Sequence, residues 1–201
     1  MTHSRKAFLD KRKHDQYHQL AENLNVRARS YFKLQQINNK YELIKDGMTI
    51  IDLGCAPGGW LQYMDKLELK NSKIIGIDLL PLKKQSEFSK NIEIIEDDFA
   101  NIEDYVDGEF DLVLSDMAPE FSGNGAIDRG RTHKLNHETL KFAKKHLKKG
   151  GSLAFKTFEG EDLDGVRKIA KSIFWSVKDF KPKSSQMKSP EFFLICKEKK
   201  E

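Results

Sequence analysis

A glycine-rich turn follows the first apolar run of the chain. The segment Asp52–Trp60 reads DLGCAPGGW and is called the glycine turn below. Glycine lets a backbone approach a ligand closely and adopt a positive φ. The turn lacks the G-x-G-x-x-G spacing of dinucleotide sites and the Gly-Lys-Ser/Thr ending of a P-loop. A nucleoside without a phosphate chain therefore fits this turn better than either of those ligands.

Acidic residues follow the next two apolar runs. Asp78 ends the second run, at the position where an acidic side chain accepts hydrogen bonds from ribose hydroxyls. Asp98 follows the third run, where a carboxylate can accept from an adenine amino group. Each feature alone is weak, because an Asp after a strand is often only a helix cap. Together with the glycine turn, the two carboxylates favour a nucleoside site.

Four further ionisable residues, Lys33, Asp116, Lys156 and Glu191, are predicted to converge beside the glycine turn. Lys156 lies within an apolar run, where a lysine is costly to bury unless it is paired or reaches solvent along its stem. Both lysines could instead have no role in a site. Lys156 could simply reach solvent along its stem, and Lys33 could lie at the border of the apolar face of an amphipathic helix. Asp116 follows the fourth apolar run. Glu191 begins the last one, and if that strand is antiparallel its start lies beside the carboxyl ends of the parallel strands.

These residues require a sheet whose strands end at one edge. Apolar runs alternate with helical patterns, which predicts an α/β fold with a mainly parallel seven-stranded sheet, helices on both faces and the last strand antiparallel. The predicted strands are Thr49–Leu53, Lys73–Asp78, Ile92–Ile95, Phe110–Ser115, Gly151–Thr157, Ser176–Phe180 and Phe192–Cys196. The predicted helices between them are Trp60–Leu67, Asn101–Tyr105, Thr132–Lys148 and Leu163–Phe174.

One more helix is predicted before the first strand, over Val26–Ile44. Its apolar residues recur every three or four positions, which predicts a stripe packed on the sheet edge. They are Leu34, Ile37, Tyr41 and Ile44. With no repeat or low-complexity linker, we expect one domain over residues 1–201, with a basic arm over 1–25 and the helical segment over 26–45.

Charge is segregated along the chain of 201 residues. Residues 1–45 hold 10 basic and 4 acidic side chains, residues 46–140 hold 9 and 19, and residues 141–201 hold 16 and 8. Clustered Lys and Arg favour a polyanionic partner such as RNA, although solvated helix faces are the plain alternative. We expect the arm from Arg5 to Lys13, with Arg27 and Arg29, to bind phosphates.

Other functional classes find little support in the sequence. No apolar run approaches the roughly 18 residues of a membrane span, and no signal-peptide pattern occurs, so we expect a soluble, cytoplasmic protein. Cys55 and Cys196 lack disulfide or metal spacing and are not expected to carry chemistry. The pairs His14/His18 and His133/His137 stand four residues apart, but neither completes a metal motif, so no metal is expected.

The chain resembles the FtsJ/RrmJ-type (RlmE) ribosomal RNA 2′-O-ribose methyltransferase family from about Asp15 to Lys197. The motifs that carry the resemblance are spread over the chain. They are Arg27–Leu34, the glycine turn, Ile77–Pro81, Asp98–Phe99, Ser115–Pro119, and Phe155–Lys156 followed by Ser189–Glu191.

The resemblance implies a Rossmann-like fold that uses S-adenosylmethionine. It implies a Lys-Asp-Lys-Glu tetrad made of Lys33, Asp116, Lys156 and Glu191, and cofactor binding by Gly58, Trp60, Asp78, Asp98 and Asp116. The implied reaction methylates a ribose 2′-hydroxyl of a uridine in 23S ribosomal RNA, with the RNA or the large ribosomal subunit as partner. A monomer is expected. Glu120 departs from the family pattern, which places a local substrate contact in doubt.

The implied reaction assigns a role to each tetrad residue. A ribose hydroxyl is a weak acid, and a neutral lysine can accept its proton. Burial and a second nearby ammonium favour a neutral lysine, whereas an adjacent carboxylate opposes it. We therefore expect Lys156 to act as the base or to orient the hydroxyl, Asp116 to position Lys156, and Lys33 and Glu191 to support them.

Two other functions are left open by the sequence. The methyl acceptor could be transfer RNA or a small molecule, although the basic ends of the chain disfavour a small molecule. The chain could also be a non-catalytic RNA-binding assembly factor that kept the fold. Candidates at all four tetrad positions argue against loss of activity.

Overall fold

The computed structural model describes residues 16–82, 87–119, 122–160, 163–185 and 189–201. The expectations for the arm from Arg5 to Lys13, for His14 and for Glu120 fall outside these residues. Within them, no helix is long and apolar enough to cross a membrane.

Seven strands and five α-helices make up the described fold. The strands are β1 Thr49–Leu53, β2 Lys73–Asp78, β3 Ile92–Glu96, β4 Phe110–Ser115, β5 Leu147–Phe158, β6 Phe174–Phe180 and β7 Glu191–Lys199. The helices are α1 Gln16–Asn23, α2 Ser30–Tyr41, α3 Gly59–Asp65, α4 Gly125–His146 and α5 Leu163–Ile173, and a 3₁₀ segment spans Phe99–Asp104.

All seven strands form one sheet in the order β3-β2-β1-β4-β5-β7-β6. The pairs β1/β2, β1/β4, β2/β3 and β4/β5 are parallel. Strand β7 is antiparallel to both β5 and β6, between which it lies. The predicted fold class is therefore confirmed, including the antiparallel last strand.

The sheet separates two apolar cores, one on each face. One core combines α4 and α5 with the sheet through residues such as Leu140, Val166 and Phe155. The other combines α2 and α3 with the opposite face through residues such as Leu34 and Phe193. Burying both faces explains why the central strands, such as β1 and β4, read as nearly continuous apolar runs rather than as alternating patterns.

Several predicted boundaries were wrong. Helix α2 is shorter than the predicted Val26–Ile44, because Glu42 adopts a left-handed conformation with φ 50° and ends the helix. Its stripe packs on a face of the sheet, in the core that contains Ile50, Leu112 and Ala154, rather than on the edge. The Tyr41 ring at the end of the stripe contacts the edge strand β6, because its centroid lies 5.6 Å from that of Phe180.

Other elements extend beyond their predicted bounds. Helix α4 begins at Gly125 instead of Thr132 and ends at His146, so Lys148 belongs to β5. The segment predicted as a helix over Asn101–Tyr105 is a 3₁₀ turn capped by Asp98. Helix α1 lies inside the predicted arm, where no helix was expected.

Candidate active site

Neighbouring strand ends bring three of the tetrad residues together. Lys156 of β5 lies opposite Phe193 of β7, and Glu191 lies opposite Phe158. Ser115, the last residue of β4, lies beside Phe155. Asp116 therefore follows β4 next to Lys156, and the start of β7 returns Glu191 to the same edge.

The fourth residue, Lys33, reaches this edge from α2. Its side chain is only 6% exposed, and its ammonium lies 5.6 Å from the centroid of the Phe193 ring. The position of α2 is fixed by its close contact with α3: a Cβ on Gly59 would lie 2.5 Å from Ser30 Oγ. The buried lysine on the inward side of α2 thus has carboxylate and aromatic neighbours.

Ion pairs link all four tetrad side chains. Lys156 Nζ lies 3.1 Å from Asp116 Oδ1, and Lys33 Nζ lies 3.4 Å from the same oxygen. Lys33 Nζ also lies 2.9 Å from Glu191 Oε1. Lys156 Nζ additionally donates to the backbone carbonyl of Asp116. All four side chains are at most 16% exposed, so the charges are poorly screened by solvent.

The two lysines determine the charge state of Asp116. Burial alone raises the pKa of a carboxyl group. At Asp116 the attraction of Lys33 and Lys156, together with their hydrogen bonds, outweighs burial and lowers the pKa below the ordinary aspartate value. Asp116 is therefore an ionised carboxylate near neutral pH, and both lysine side chains contact it.

The glycine turn lies beside the tetrad and needs its glycines. Gly54 has φ 78°, and a Cβ there would lie 2.5 Å from Met117 Cγ, in the segment that follows Asp116. Gly58 has φ 100° and caps the N-terminus of α3. A Cβ on Gly58 would lie 3.0 Å from Arg27 Cδ. The backbone of the turn is thus close to both the tetrad segment and the start of α3.

Asp78 holds the glycine turn against the end of β2. Its Oδ2 accepts a hydrogen bond from the backbone N–H of Ala56 at 2.8 Å, and its Oδ1 accepts from Leu80 N at 2.8 Å. Each carboxylate oxygen retains a second lone pair. The side chain is therefore oriented by the backbone and still able to accept from a ligand.

Asp98 is exposed and keeps one oxygen available. Its Oδ1 accepts from Ala100 N at 2.9 Å, whereas no bond to its Oδ2 is seen within the described residues. The neighbouring Asp97 differs, because Asp98 N, Asn101 and the Tyr105 hydroxyl occupy both its oxygens. These bonds lower the pKa of Asp97, that from Tyr105 most of all. Asp97 thus stabilises the loop, and Asp98 is the residue free for a ligand.

The side chain of Trp60 lies in the core. It is 2% exposed, its Nε1 donates to Ser30 O at 2.9 Å, and its ring lies 5.8 Å from that of Phe193. The indole N–H is therefore already bonded within the protein. A contact between Trp60 and a cofactor would have to use the backbone N–H in the first turn of α3.

Asp52 is a buried carboxyl near this site that the sequence reasoning did not single out. It ends no strand, lies within β1, is 1% exposed, and neither carboxylate oxygen has a hydrogen-bond partner in the described part of the chain. Burial raises its pKa well above the ordinary value, and Asp116 and Asp78 raise it further. An aspartate inside the buried run TIIDL was the signal that could have found it.

Other candidate groups are not part of the tetrad. The rings of His133 and His137 are 4.1 Å apart, and no cluster of three or more potential metal ligands occurs among the described residues. Burial raises the pKa of the Cys55 thiol, and does the same for Cys196. Arg27 stacks on Phe88 at 4.5 Å and pairs with Glu87 at 3.3 Å.

Curated relatives match almost the whole chain. It is 39% identical to Ribosomal RNA large subunit methyltransferase E of Francisella tularensis subsp. novicida (strain U112), covering 97% of this chain and 96% of the relative. It is also 39% identical to the protein of the same name in Francisella philomiragia, covering 90% of each.

Solved structures share the fold. A Plasmodium falciparum chain described as a ribosomal RNA methyltransferase has a TM-score of 0.73 at 27% identity, covering 86% of this chain and 98% of that one. Aeropyrum pernix fibrillarin, solved with natively bound S-adenosyl-L-methionine, has a TM-score of 0.62 at 16% identity, covering 83% and 75%. The model of the FtsJ-like methyltransferase family matches residues 26–199. The chain therefore belongs to the FtsJ-like methyltransferase family, as its motifs indicate.

Proposed function

We propose that this protein transfers a methyl group from S-adenosylmethionine to a ribose 2′-hydroxyl, that of a uridine in 23S ribosomal RNA. The observation that carries the proposal is the buried tetrad, in which Lys156 and Lys33 share the Asp116 carboxylate beside the glycine turn. The names of the relatives support ribosomal RNA as the substrate.

The residues around the glycine turn fit the cofactor. Asp78 and Asp98 each offer acceptor capacity suited to the ribose hydroxyls and the adenine amino group. The backbone of Gly58, which caps α3, and the N–H groups of the first turn of α3 would hold the amino-acid part. When bound, the cofactor supplies an electrophilic methyl group on a positively charged sulfur.

Electrostatics favours a cation at the same place. Burial first, and then the nearby Asp116 and Asp78 carboxylates, raise the pKa of Asp52, so that three acidic groups act on one small region. A nearby cation would relieve the repulsion among these groups. The charge of the cofactor therefore complements the site, and we assign Asp52 to it as an electrostatic partner.

The tetrad can orient the acceptor hydroxyl and take up its proton. Lys156 Nζ accepts the proton when the amine is neutral, and its bonds to Asp116 fix its direction. Lys33 then remains as the cation that balances Asp116, so the buried carboxylate keeps a partner. Glu191 pairs with Lys33 and holds it in place. The protein contributes to this reaction by aligning the acceptor hydroxyl with the methyl group and by removing the proton of the hydroxyl.

Mass spectrometric mapping of ribose methylation tests the proposal. Ribosomal RNA from cells with and without the protein should differ at one 2′-O-methylated uridine of 23S RNA. Purified protein should transfer a labelled methyl group to that RNA and not to transfer RNA. RNA binding without methyl transfer would support the alternative of a non-catalytic assembly factor. Labelling of transfer RNA alone would support the alternative that transfer RNA is the methyl acceptor.

Replacing Asp78 with alanine should weaken S-adenosylmethionine binding by about 1–3 kcal/mol, because ligand hydroxyls lose their acceptor. Isothermal titration calorimetry measures this directly. Asp46→Ala is a matched control, since Asp46 also accepts from a loop amide, that of Lys70, but in a loop preceding β1. Equal affinities for wild type and Asp78→Ala would remove Asp78 from the site.

Replacing Asp52 with asparagine should separate stability from cofactor binding. A carboxyl whose pKa is raised by folding destabilises the fold increasingly as the pH rises from its unfolded pKa through its folded pKa. The variant without cofactor should therefore be at least as stable as wild type at neutral pH. Its Tm increase on adding S-adenosylmethionine should be smaller. A less stable variant with the full Tm increase would contradict the assigned role.

A further inference from the structure

A groove crosses the free edge of the sheet at β6. It has a volume of about 580 Å³ and is lined by residues of α2, α5 and β6. Strand β6 is last in the strand order, so its outer edge has no strand partner within the described ranges. The groove is called the edge groove and is defined by Lys40, Tyr41, Arg167, Lys171, Lys178 and Asp179.

Positive charge dominates the edge groove. Its single carboxylate among the lining residues, Asp179, is already bonded by Arg167. Lys40 lies over the rings of Tyr41 and Phe180, 5.3 and 5.0 Å from their centroids. Lys171 and Lys178 are exposed and make no ion pair with the described part of the chain. The groove therefore offers cations suited to an anionic ligand.

An exposed tryptophan lies next to the groove. Trp175 of β6 is 73% exposed, although large aromatic side chains normally bury most of their surface. Lys200 Nζ lies 4.8 Å from its ring centroid and donates to Lys171 O at 2.7 Å. This contact joins the Trp175 ring to the rim of the edge groove through Lys171. An exposed flat ring near lysine side chains is suited to a nucleic acid base next to its phosphates.

The edge groove and the tetrad are connected by rigid elements. Lys33 and Lys40 lie on the same helix, seven residues apart, which places them about 10 Å apart along its axis. Phe180 of β6 pairs with Phe193, which pairs with Lys156. A single RNA molecule can therefore reach both places.

We propose that the edge groove and Trp175 bind the RNA substrate away from the modified nucleotide. Lys171 and Lys178 contact phosphates, and Trp175 stacks on an unpaired base. This inference rests on the proposed function, because it assumes an RNA substrate. A protein strand added to β6 fits less well, since lysines on an edge strand disfavour strand addition.

The test compares two lysine double variants. Lys171→Gln with Lys178→Gln removes two groove cations, and Lys70→Gln with Lys73→Gln removes two exposed cations at the amino end of β2, away from β6. Binding of a 23S RNA fragment is measured against salt concentration. The groove variant should bind more weakly, and its slope of log K against log salt should be shallower by about 1.4, roughly 0.7 for each phosphate contact. The control should match wild type.

Tryptophan fluorescence tests the stacking contact. Trp60 is buried, so RNA should quench chiefly the signal of Trp175. Trp175→Leu should lose the quenching and weaken RNA binding about fivefold or more. In the lysine double variant and in Trp175→Leu, the affinity for S-adenosylmethionine and the kcat at saturating RNA should remain at the wild-type level.

The outcomes separate this inference from the proposed function. The inference is overturned if the wild-type protein methylates the RNA while the lysine double variant and Trp175→Leu keep the wild-type RNA affinity and salt slope. The edge groove would then be assigned to a protein partner. Wild-type protein that binds the RNA through the groove without methylating it would overturn the proposed function only.

Discussion

Replacing Lys156 with alanine should reduce methyl transfer by about 10²- to 10⁴-fold, the contribution of a positioned acid–base group. The side chain ends at the Asp116 carboxylate and is 8% exposed, so little else can take over its position. S-adenosylmethionine affinity should stay close to wild type. Single-turnover methyl transfer to 23S RNA and calorimetric titration of the cofactor measure the two effects separately.

Arginine at the same position distinguishes proton transfer from charge. A guanidinium stays protonated near neutral pH, so Lys156→Arg should be nearly as inactive as the alanine variant. Lys149→Ala is the matched control, because Lys149 is an exposed lysine of the same strand. Substantial turnover by the arginine variant would mean that a fixed positive charge suffices, and the role of Lys156 as a base would have to be abandoned.

Replacing Asp116 with asparagine should abolish most activity and destabilise the fold by about 3 kcal/mol. The change leaves Lys33 and Lys156 buried without their shared carboxylate, and an uncompensated buried charge is costly. Urea denaturation measures the free energy of unfolding. Asp107→Asn, an exposed aspartate before β4, is the control and should be neutral within about 0.5 kcal/mol.

The stability difference should depend on pH in a defined direction. The pKa of Asp116 is lowered by folding, so its contribution is present above the unfolded aspartate pKa, about 3.9. It is lost as the pH falls through the lower pKa of the folded protein. The gap between wild type and Asp116→Asn should therefore be full at pH 6 and shrink in strong acid. A gap that does not change with pH would show that the ion pairs contribute little.

The tetrad could be predicted from the sequence because each member sits at a strand end or on an inward helix face. Glu191 is an example. Its position beside the carboxyl ends of the parallel strands follows from the prediction that the last strand is antiparallel. Asp52 was missed because a buried aspartate in a strand looks like part of the following turn. Asp52 stands out because its carboxylate has no hydrogen-bond partner among the described residues, which only the folded structure shows.

Other features depend on packing that local patterns do not encode. Helix α4 begins at Gly125 and includes Gly130, although glycine is a poor helix former. The indole of Trp60 turns into the core because Ser30 O accepts its N–H. The edge groove combines Lys40 with residues more than 120 positions later in the chain, and no spacing rule joins them.

The strand order β5-β7-β6 makes the late synthesis of β7 important for this site. During translation β6 emerges before β7, yet its partner in the sheet is β7. Until β7 is inserted, β5 keeps an open edge, and Lys33 lacks the Glu191 carboxylate that lies 2.9 Å away in the finished fold. Because domains gain their structure as the chain leaves the ribosome, the tetrad is completed by the last strand. A chain that lacks β7 therefore has the glycine turn but only three of the four tetrad residues.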